Sequence, residues 1–372
     1  MIIGFDAKRL YNNFTGLGNY SRTTIDLLSE FYPENEYLLF TPKIKRNAIT
    51  VPYTDKEGCR TILPKGIIRG SLWRTFRLPD IARKYSVDIF HGLSNELPTG
   101  LDIPSVVTIH DVAFKTFPGM YHHTDRFTYN RKWKYACHKA DRIIAISEST
   151  KQDIIRFYNV DPSRIDVIYQ PVNRLFYTDY KGVCPKSLTA YVNGMPYILY
   201  VGSINSRKNL LGAVKALELL PQDLRIPIIV IGNGREYKQK VLKYITERHL
   251  QNMIIFTAEK VGLEGLRYLY RNAQMLVYPS FYEGFGLPVV EALLSGCPVV
   301  TSNVSSLPEA AGPYSLLVDP DNIQDISDKM SSILSDSALR SDIIARGYEF
   351  AQKQFSPDAL AAKLMNVYAA LQ

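Results

Sequence analysis

Cysteines and long apolar runs are scarce in this sequence. The four cysteines, Cys59, Cys137, Cys184 and Cys297, lie far apart and form no CxxC pair, so we expect neither a zinc site nor a disulfide framework. No stretch reaches the roughly 18 to 20 apolar residues that a transmembrane helix needs. The opening residues, MIIGFD, are typical of a strand and not of a secretion signal. We therefore predict a globular cytoplasmic protein with reduced thiols.

Positive charge is in surplus, and most of the surplus lies in the first half of the chain. The formal net charge is +8. The segment Lys65–Lys84, KGIIRGSLWRTFRLPDIARK, mixes cations with apolar side chains, among them Ile67, Arg69, Leu72, Trp73, Arg74, Phe76, Arg77, Leu78 and Arg83. This composition fits either a solvated amphipathic element over the core or a surface that touches anionic membrane lipid. No nucleic-acid-binding motif accompanies the charge, so we expect no nucleic-acid partner.

Short apolar runs alternate with helical patterns along the whole chain. A length of 372 residues allows two domains. The alternation predicts an α/β protein of two Rossmann-like, doubly wound parallel-sheet domains that face each other across a cleft. The predicted strands are 2–5, 37–40, 89–90, 105–109, 142–146 and 165–168 in the first half, and 197–201, 226–231, 253–256, 275–278, 298–301 and 315–318 in the second.

A segment with little periodicity and several prolines and glycines, Gln170–Met195, predicts the linker between the domains. We accordingly place an N-terminal domain at residues 1–175 and a C-terminal domain at residues 190–356. The last residues, 357–372, carry an apolar stripe at helical spacing and predict a final helix. Because open parallel sheets bind ligands at the carboxyl ends of their strands, functional motifs should follow strands directly.

The stretch SFYEGFGLPVVEA, Ser280–Ala292, follows a predicted strand and combines glycines with two glutamates. Pro288 suits the first turn of a helix, and the free N–H groups of a helix start favour a phosphate. A carboxylate beside a phosphate is repelled, so Glu283 and Glu291 are better suited to neutral hydroxyl groups. A sugar nucleotide offers hydroxyls on both sides of a diphosphate. The alternative, in which both glutamates only complement the helix dipole, leaves the glycines unexplained.

Cations suited to a diphosphate follow the first strand of the second half, in GSINSRKN. Arg207 offers a planar fork and Lys208 a point charge, while Gly202 begins the loop. Gly232 and Gly234 follow the next strand and permit a close backbone approach, although a GxG pair alone is weak evidence.

Two further motifs follow strands of the first half. Gly16 and Gly18 precede a helix predicted from Tyr20 to Phe31, without the third glycine of a dinucleotide-binding fingerprint. His110, and less strongly His91, could contact a substrate hydroxyl or cap a loop. The pair Asp319 and Asp321 around a proline is typical of a turn, and we predict no catalytic metal.

These motifs together resemble the retaining glycosyltransferases of family 4, which have the GT-B fold. Glu283 and Glu291 are separated by seven residues, as in the family's E-x7-E signature. Gly202–Asn209 resembles the family's diphosphate loop, and the likeness extends to Gly16–Tyr20 and to His110 with Asp111. It covers nearly the whole chain.

The resemblance implies roles for individual residues. The residue at Glu291 would bind the donor ribose, and that at Glu283 the transferred sugar, with backbone N–H groups of Phe285, Gly286 and Leu287. Arg207 and Lys208 would hold the diphosphate, His110 would contact the sugar, and Gly16 and Gly18 would close over the phosphates. The N-terminal domain would bind the acceptor and the C-terminal domain the donor, with the helix 357–372 crossing back to the N-terminal domain.

The first-half sequence resembles the mannosyltransferase branch that builds surface polysaccharides. It implies a nucleotide-sugar donor, with GDP-mannose favoured over a UDP-sugar, no further cofactor, and a glycan or lipid-linked acceptor. If the segment 65–84 touches anionic lipid, the cytoplasmic protein would be peripheral on the inner face of the membrane. The alternatives are a GT-B-fold sugar-nucleotide epimerase, a phosphorylase, and a non-catalytic module that binds a nucleotide sugar or lipid.

Overall fold

A computed structural model describes residues 1–65, 70–179, 181–192, 194–257 and 260–372. The chain divides into two compact units. The first unit comprises Met1–Asn173 and Phe355–Gln372, and the second comprises Arg174–Gln354. The predicted linker, residues 170–195, thus contains the boundary between Asn173 and Arg174, and most of its residues belong to the second unit.

The first unit is built on a parallel sheet of seven strands in the order β3-β2-β1-β4-β5-β6-β7. Its strands are β1 Ile2–Asp6, β2 Glu36–Phe40, β3 Cys59–Ile62, β4 Ile89–Gly92, β5 Ser105–Ile109, β6 Arg142–Ala145 and β7 Ile165–Val167. The register sets Gly4 of β1 opposite Leu38 of β2 and Phe90 of β4. The sequence did not predict β3, an edge strand in which only Ile62 is buried.

The helices of this unit are α1 Lys8–Asn12, α2 Gly16–Phe31, α3 Gly70–Leu72, α4 Leu78–Lys84, α5 Ala113–Thr116, α6 His123–Lys139, α7 Glu148–Tyr158 and, from the chain's end, Pro357–Ala369. The last of these packs on α2. Two apolar clusters pack on this sheet, one around Trp133 and Ile143 and one around Trp73 and Phe90.

The second unit has a parallel sheet of six strands in the order β10-β9-β8-β11-β12-β13. Its strands are β8 Ile198–Val201, β9 Ile228–Ile231, β10 Ile254–Phe256, β11 Met275–Tyr278, β12 Val299–Ser302 and β13 Leu316–Val318. They are short runs of β-branched and other apolar residues, as buried parallel strands require. Strand order reverses between β8 and β11, and the loops after these two strands therefore diverge and leave room for a ligand.

The helices of the second unit are α8 Thr189–Val192, α9 Leu210–Leu219, α10 Glu236–Glu247, α11 Leu263–Asn272, α12 Leu287–Leu294, α13 Leu307–Ala311, α14 Ile323–Ser335 and α15 Ser337–Gln354; the final helix of the chain is then α16. Arg267 of α11 is buried and ties the start of this unit to α12. Its guanidinium donates to the carbonyls of Phe176 at 2.7 Å, Leu294 at 2.9 Å and Thr178 at 2.9 Å.

One cation of the segment Lys65–Lys84 lies inside the first unit and not on its surface. Arg74 is only 7% exposed and pairs with Asp6 at the end of β1, with its Nε 3.1 Å from Oδ2. It also contacts Glu96 at 3.2 Å. The lipid surface proposed for Arg74 is therefore wrong for this residue, because a buried cation needs carboxylate partners and finds them inside the unit.

The apolar residues of the same segment divide between the core and the surface. Trp73 and Leu78 are buried, whereas Leu72 and Phe76 are each 61% exposed. Ile67 and Arg69 lie outside the described residues. The exposed apolar side chains described in this segment are thus Leu72 and Phe76, and the exposed Arg77 follows Phe76 directly.

Candidate active site

The loops after β8 and β9 approach each other backbone to backbone in the second unit. Gly202 follows β8 with φ +148°, and a side chain there would meet the aliphatic stem of Lys208 at 3.0 Å. Gly232 follows β9 with φ +156°, and a Cβ there would lie 1.8 Å from the Gly202 carbonyl oxygen. Gly234 packs on the carbonyl of Ile204. These glycines therefore bring the two loops together, and the space at Gly202 is taken up by Lys208.

Arg207 and Lys208 lie in a single helical turn, Ser206–Lys208, that Asn205 caps. The Asn205 side chain accepts from the Lys208 N–H at 3.2 Å. This turn is joined to the loop after β11 because the Phe281 N–H donates to the Arg207 carbonyl at 2.8 Å. The Arg207 guanidinium also donates to the Tyr282 carbonyl. The two motifs that the sequence placed after different strands thus form one structure at the end of β8 and β11.

Glu283 binds both cations of that turn. Its Oε1 lies 2.7 Å from Lys208 Nζ, and its Oε2 lies 3.2 Å from Arg207 Nη1. Burial alone would raise the pKa of the Glu283 carboxyl, but the charges of Lys208 and then Arg207 outweigh it and hold the pKa below its ordinary value. Glu283 is therefore ionised at neutral pH although it is only 8% exposed.

Tyr278, the last residue of β11, completes this cluster. Its hydroxyl donates to Glu283 Oε1 at 3.0 Å and accepts from Lys208 Nζ. The Lys208 ammonium also lies 4.8 Å from the centre of the Tyr278 ring. Burial raises the pKa of Tyr278 far above its usual value, so the hydroxyl stays protonated. Sequence reasoning missed Tyr278, although its place at a strand's carboxyl end was a usable signal.

The backbone of Glu283 is held by two serines, Ser305 and Ser306, of the loop between β12 and α13. The Glu283 N–H donates to Ser305 Oγ at 3.0 Å, and Ser306 Oγ donates to the Glu283 carbonyl at 2.8 Å. Ser306 Oγ also donates to the carbonyl of Phe285 at 2.9 Å. These three hydrogen bonds therefore hold the main chain that leads from β11 into α12 in place.

Helix α12 begins at Leu287, one residue before the predicted start, and Gly286 precedes it with φ +113°. Phe285 is buried, and Pro288 occupies the first turn as predicted. Glu291 lies one turn further along, apart from the two cations that Glu283 binds.

Glu291 is in a different environment from Glu283. Its Oε2 accepts from the Tyr270 hydroxyl at 3.2 Å. Although the residue is partly exposed, desolvation of the carboxyl raises its pKa to about 7, and the Tyr270 hydrogen bond offsets only part of this rise. The two glutamates of the predicted pair therefore differ in their ionisation. Glu283 is an ionised carboxylate that binds two cations, whereas the pKa of Glu291 lies near neutral pH.

In the first unit, His110 follows β5 and is fixed by its surroundings. Its backbone N–H donates to Asn95 Oδ1 at 2.7 Å, and its ring Nε2 lies 2.9 Å from the Leu93 carbonyl oxygen. A carbonyl only accepts, so Nε2 carries the proton and Nδ1 is the acceptor of the neutral ring. Burial lowers the pKa of His110 to about 4. The Tyr20 ring stands edge-on to the imidazole at 4.5 Å.

His91 has a structural role. It is fully buried, and its ring nitrogens contact the Tyr368 hydroxyl at 2.7 Å and Thr108 Oγ1 at 2.8 Å. Thr108 in turn contacts the Tyr20 hydroxyl at 3.0 Å. Burial lowers the pKa of His91 to about 3, so the ring is neutral. This chain of buried hydrogen bonds joins α16 to β4, β5 and α2.

The glycine motif of the first unit lies within a helix. The sequence predicted a helix from Tyr20, with Gly16 and Gly18 in the preceding loop, and this boundary was wrong because α2 begins at Gly16. The side chain of Asn13 explains the early start, since its Oδ1 accepts from the N–H of Thr15 at 2.9 Å and of Gly18 at 3.1 Å. Apart from its chain neighbours and the backbone of α2, no atom of the described residues lies within 4 Å of the place where a Cβ of Gly16 would stand.

The described residues contain neither a cluster suited to a metal ion nor a helix suited to cross a membrane. Among the described residues, no group of three or more His, Cys, Asp or Glu side chains is arranged to hold a metal ion. Asp319 accepts from the Asp321 N–H at 3.0 Å, which is the geometry of a turn. No helix in the described ranges is both long enough and apolar enough to cross a membrane.

Comparisons with known proteins agree with this architecture. Residues 22–174 match the family described as Glycosyltransferase Family 4, and residues 190–350 match Glycosyl transferases group 1. O-antigen chain mannosyltransferase B of Escherichia coli is 36% identical over 290 residues, which are 77% of this chain and 75% of that protein. O-antigen chain mannosyltransferase RfbU of Salmonella typhimurium is 27% identical over 246 residues, which are 66% of this chain and 65% of that protein.

Solved structures resemble the chain over its full length. Anabaena Alr3699/HepE in complex with UDP and glucose superposes with a TM-score of 0.75 at 16% identity and covers 100% of both chains. WaaG, a glycosyltransferase involved in lipopolysaccharide biosynthesis, superposes with a TM-score of 0.71 at 17% identity and covers 99% of both chains. At this identity the likeness shows the fold alone, and the predicted GT-B fold is confirmed.

Proposed function

Because the chain belongs to glycosyltransferase family 4, as its motifs predicted, we propose that it transfers mannose from GDP-mannose to a glycan or lipid-linked acceptor in the synthesis of a surface polysaccharide. The protein is a hexosyltransferase. The names of the two O-antigen relatives support mannose as the sugar. A UDP-sugar is the alternative donor, since the Anabaena neighbour was solved with UDP.

The cluster at the ends of β8 and β11 carries this proposal. Arg207 and Lys208 lie side by side on a capped turn, where they would bind the diphosphate of the donor. Glu283 contacts both cations and would accept hydrogen bonds from the transferred sugar. Glu291, on α12, would accept the ribose hydroxyls when ionised.

Backbone and first-unit groups would complete the donor site. The N–H groups of Phe285, Gly286 and Leu287 stand at the start of α12, where a helix favours an anion. We assign donor-loop roles to Gly202, Gly232 and Gly234, and a role over the phosphates to Gly16 and Gly18. His110 would accept from a sugar hydroxyl through Nδ1, because its neutral ring has Nε2 committed to Leu93. We further assign acceptor binding to the first unit and donor binding to the second.

The reaction that these groups suit is transfer with retention on one face of the sugar. The bond from the anomeric carbon to the diphosphate oxygen breaks, and the acceptor oxygen forms the new bond to that carbon. The acceptor's proton passes to an oxygen of the leaving diphosphate, so that the products are a nucleoside diphosphate and a glycoside. Negative charge grows on the leaving group, and Lys208 and Arg207 would stabilise that transition state more than the bound donor.

A peripheral contact with the inner face of the membrane is also part of the proposal. A π-helical stretch, Trp73–Arg77, joins α3 to α4. Leu72 and Phe76, four residues apart in this continuous helix, have most of their surface exposed, and the Arg77 side chain is 58% exposed. Apolar side chains beside a cation suit the boundary between headgroups and acyl chains of an anionic bilayer. Arg74 and Trp73 take no part, since both are buried.

The proposal is tested by replacing Lys208 with alanine and measuring the release of GDP from GDP-mannose, with and without a glycan acceptor. Loss of the ammonium should lower turnover by at least about 100-fold. Lys243→Ala is the matched control, because that side chain is 78% exposed on α10 of the same unit. Turnover of Lys208→Ala near that of the control would contradict the role. Conversion of the sugar nucleotide without an acceptor would favour the epimerase.

A further inference from the structure

Glu283 binds Lys208 and Arg207 in the way that a bound anion would. Each of its carboxylate oxygens takes one cation, with Lys208 Nζ at 2.7 Å and Arg207 Nη1 at 3.2 Å. The three charged side chains are 10 to 15% exposed. At such burial a carboxylate and two cations hold each other strongly, and water screens them little.

A diphosphate cannot take up these cations without affecting Glu283. Lys and Arg have enough N–H donors to serve several oxygens, so the donors are not limiting. Repulsion between the two anions is what limits simultaneous binding, because a carboxylate and a phosphate at hydrogen-bond distance from the same ammonium lie close together. The two anions therefore compete for Lys208 and Arg207.

Only the side chain of Glu283 needs to move in this competition. Ser305 and Ser306 hold its backbone N–H and carbonyl at 3.0 and 2.8 Å. The Tyr278 hydroxyl, 3.0 Å from Oε1, is a neutral partner that touches both the carboxylate and the ammonium. Rotation of the carboxylate away from the cations leaves the loop and Tyr278 in place.

We propose that Glu283 is an internal placeholder for the donor diphosphate. In the ligand-free site it holds Lys208 and Arg207 in position, and the incoming diphosphate displaces it. This inference rests on the proposed function and adds a consequence to it. With an intact donor, the displaced carboxylate accepts from a sugar hydroxyl, whereas with the nucleoside diphosphate product it has no sugar to accept from. Glu283 thereby makes the site favour donor over product and promotes product release.

The test measures the affinity of inorganic pyrophosphate and of GDP for wild type and for Glu283→Gln by calorimetry. Removal of the competing charge should tighten both affinities by roughly tenfold or more, while transfer from GDP-mannose slows. Glu247→Gln is the matched control, since it removes a carboxylate that is 58% exposed on the same unit. It should leave the pyrophosphate affinity unchanged.

Unchanged or weaker pyrophosphate binding by Glu283→Gln, or an equal gain in Glu247→Gln, would overturn the placeholder. The proposed function is judged separately, by whether wild type binds GDP and transfers the sugar. A gain of pyrophosphate binding in Glu283→Gln would support the placeholder even if the donor proves to be another compound.

A second measurement does not depend on the stability of the variant. In a crystal structure of wild type with pyrophosphate, we expect phosphate oxygens on Lys208 Nζ and Arg207, and the Glu283 carboxylate beyond hydrogen-bond reach of both. Retention of the 2.7 Å contact between Glu283 and Lys208 beside the bound anion would overturn the inference.

Discussion

Replacing Glu291 with glutamine removes an ionisable group from the second unit and keeps an acceptor for the Tyr270 hydroxyl. The wild-type carboxyl has its pKa raised from 4.5 to about 7, first by desolvation. A group that resists ionisation in the folded state destabilises that state wherever the unfolded chain has lost the proton. Glu291→Gln should therefore stabilise the second unit at alkaline pH.

The sign and size of the effect follow from the two pKa values. Below about pH 4.5 both states hold the proton, and Glu291 contributes no penalty. As the pH rises from there toward about 7, the unfolded chain ionises first and the wild type loses stability relative to the variant. The rise of the Glu291 pKa from 4.5 to about 7 corresponds to a loss of about 3 kcal/mol in the free energy of unfolding above pH 7. Partial exposure of the residue makes this an upper value.

Urea unfolding at about pH 5 and about pH 8 measures the difference. Both tryptophans of the chain, Trp73 and Trp133, lie in the first unit, so their fluorescence reports that unit alone. Circular dichroism follows both units. The fluorescence transition therefore serves as a reference for the first unit, which does not contain Glu291.

The variant should have the higher free energy of unfolding, and its difference from the wild type should widen by about 2 kcal/mol from about pH 5 to about pH 8. An equal gap at both values would refute the argument from desolvation. A loss of stability on mutation at the higher pH would show instead that the ionised carboxylate is stabilised by the fold. The variant should also bind GDP more weakly, if Glu291 accepts the ribose hydroxyls.

Two further predictions concern the segment around Arg74. Arg74→Ala should lower the free energy of unfolding of the first unit by about 3 to 5 kcal/mol, because Asp6 keeps a buried charge without its main partner. Arg77→Ala, on the exposed side, should change it by less than about 0.5 kcal/mol; equal losses in a urea titration followed by fluorescence would contradict the burial argument. Changing Leu72 and Phe76 together to glutamate should weaken binding to phosphatidylglycerol vesicles by about tenfold or more. Unchanged sedimentation with those vesicles would contradict the membrane contact.

Local pattern predicted most of the elements. The strands Ser105–Ile109 and Met275–Tyr278 have the predicted bounds, because each is an apolar run that ends at a polar residue or a proline. The missed strand, Cys59–Ile62, is an edge strand whose place depends on pairing with β2. The early start of α2 depends on Asn13, a side chain that bonds to backbone N–H groups of the first turn.

The candidate site was predicted as separate motifs, and its connections were not. The sequence indicated cations at Arg207 and Lys208 and carboxylates at Glu283 and Glu291, each after a strand or at a helix start. It did not indicate that Glu283 would lie on both cations, since 75 residues separate it from Lys208. Nor did it separate the pKa values of the two glutamates, which depend on burial and on neighbours.

The sequence by itself determined the kind and order of the elements, and the strand ends at which chemistry collects, because periodicity and helix and turn signals act between near neighbours in the chain. The tertiary structure decided which charges meet. It turned Arg74 inward to Asp6, 68 residues away, and it put Tyr278 in contact with both Lys208 and Glu283. Coulomb energy and desolvation depend on distances in space, and only the folded chain sets those distances.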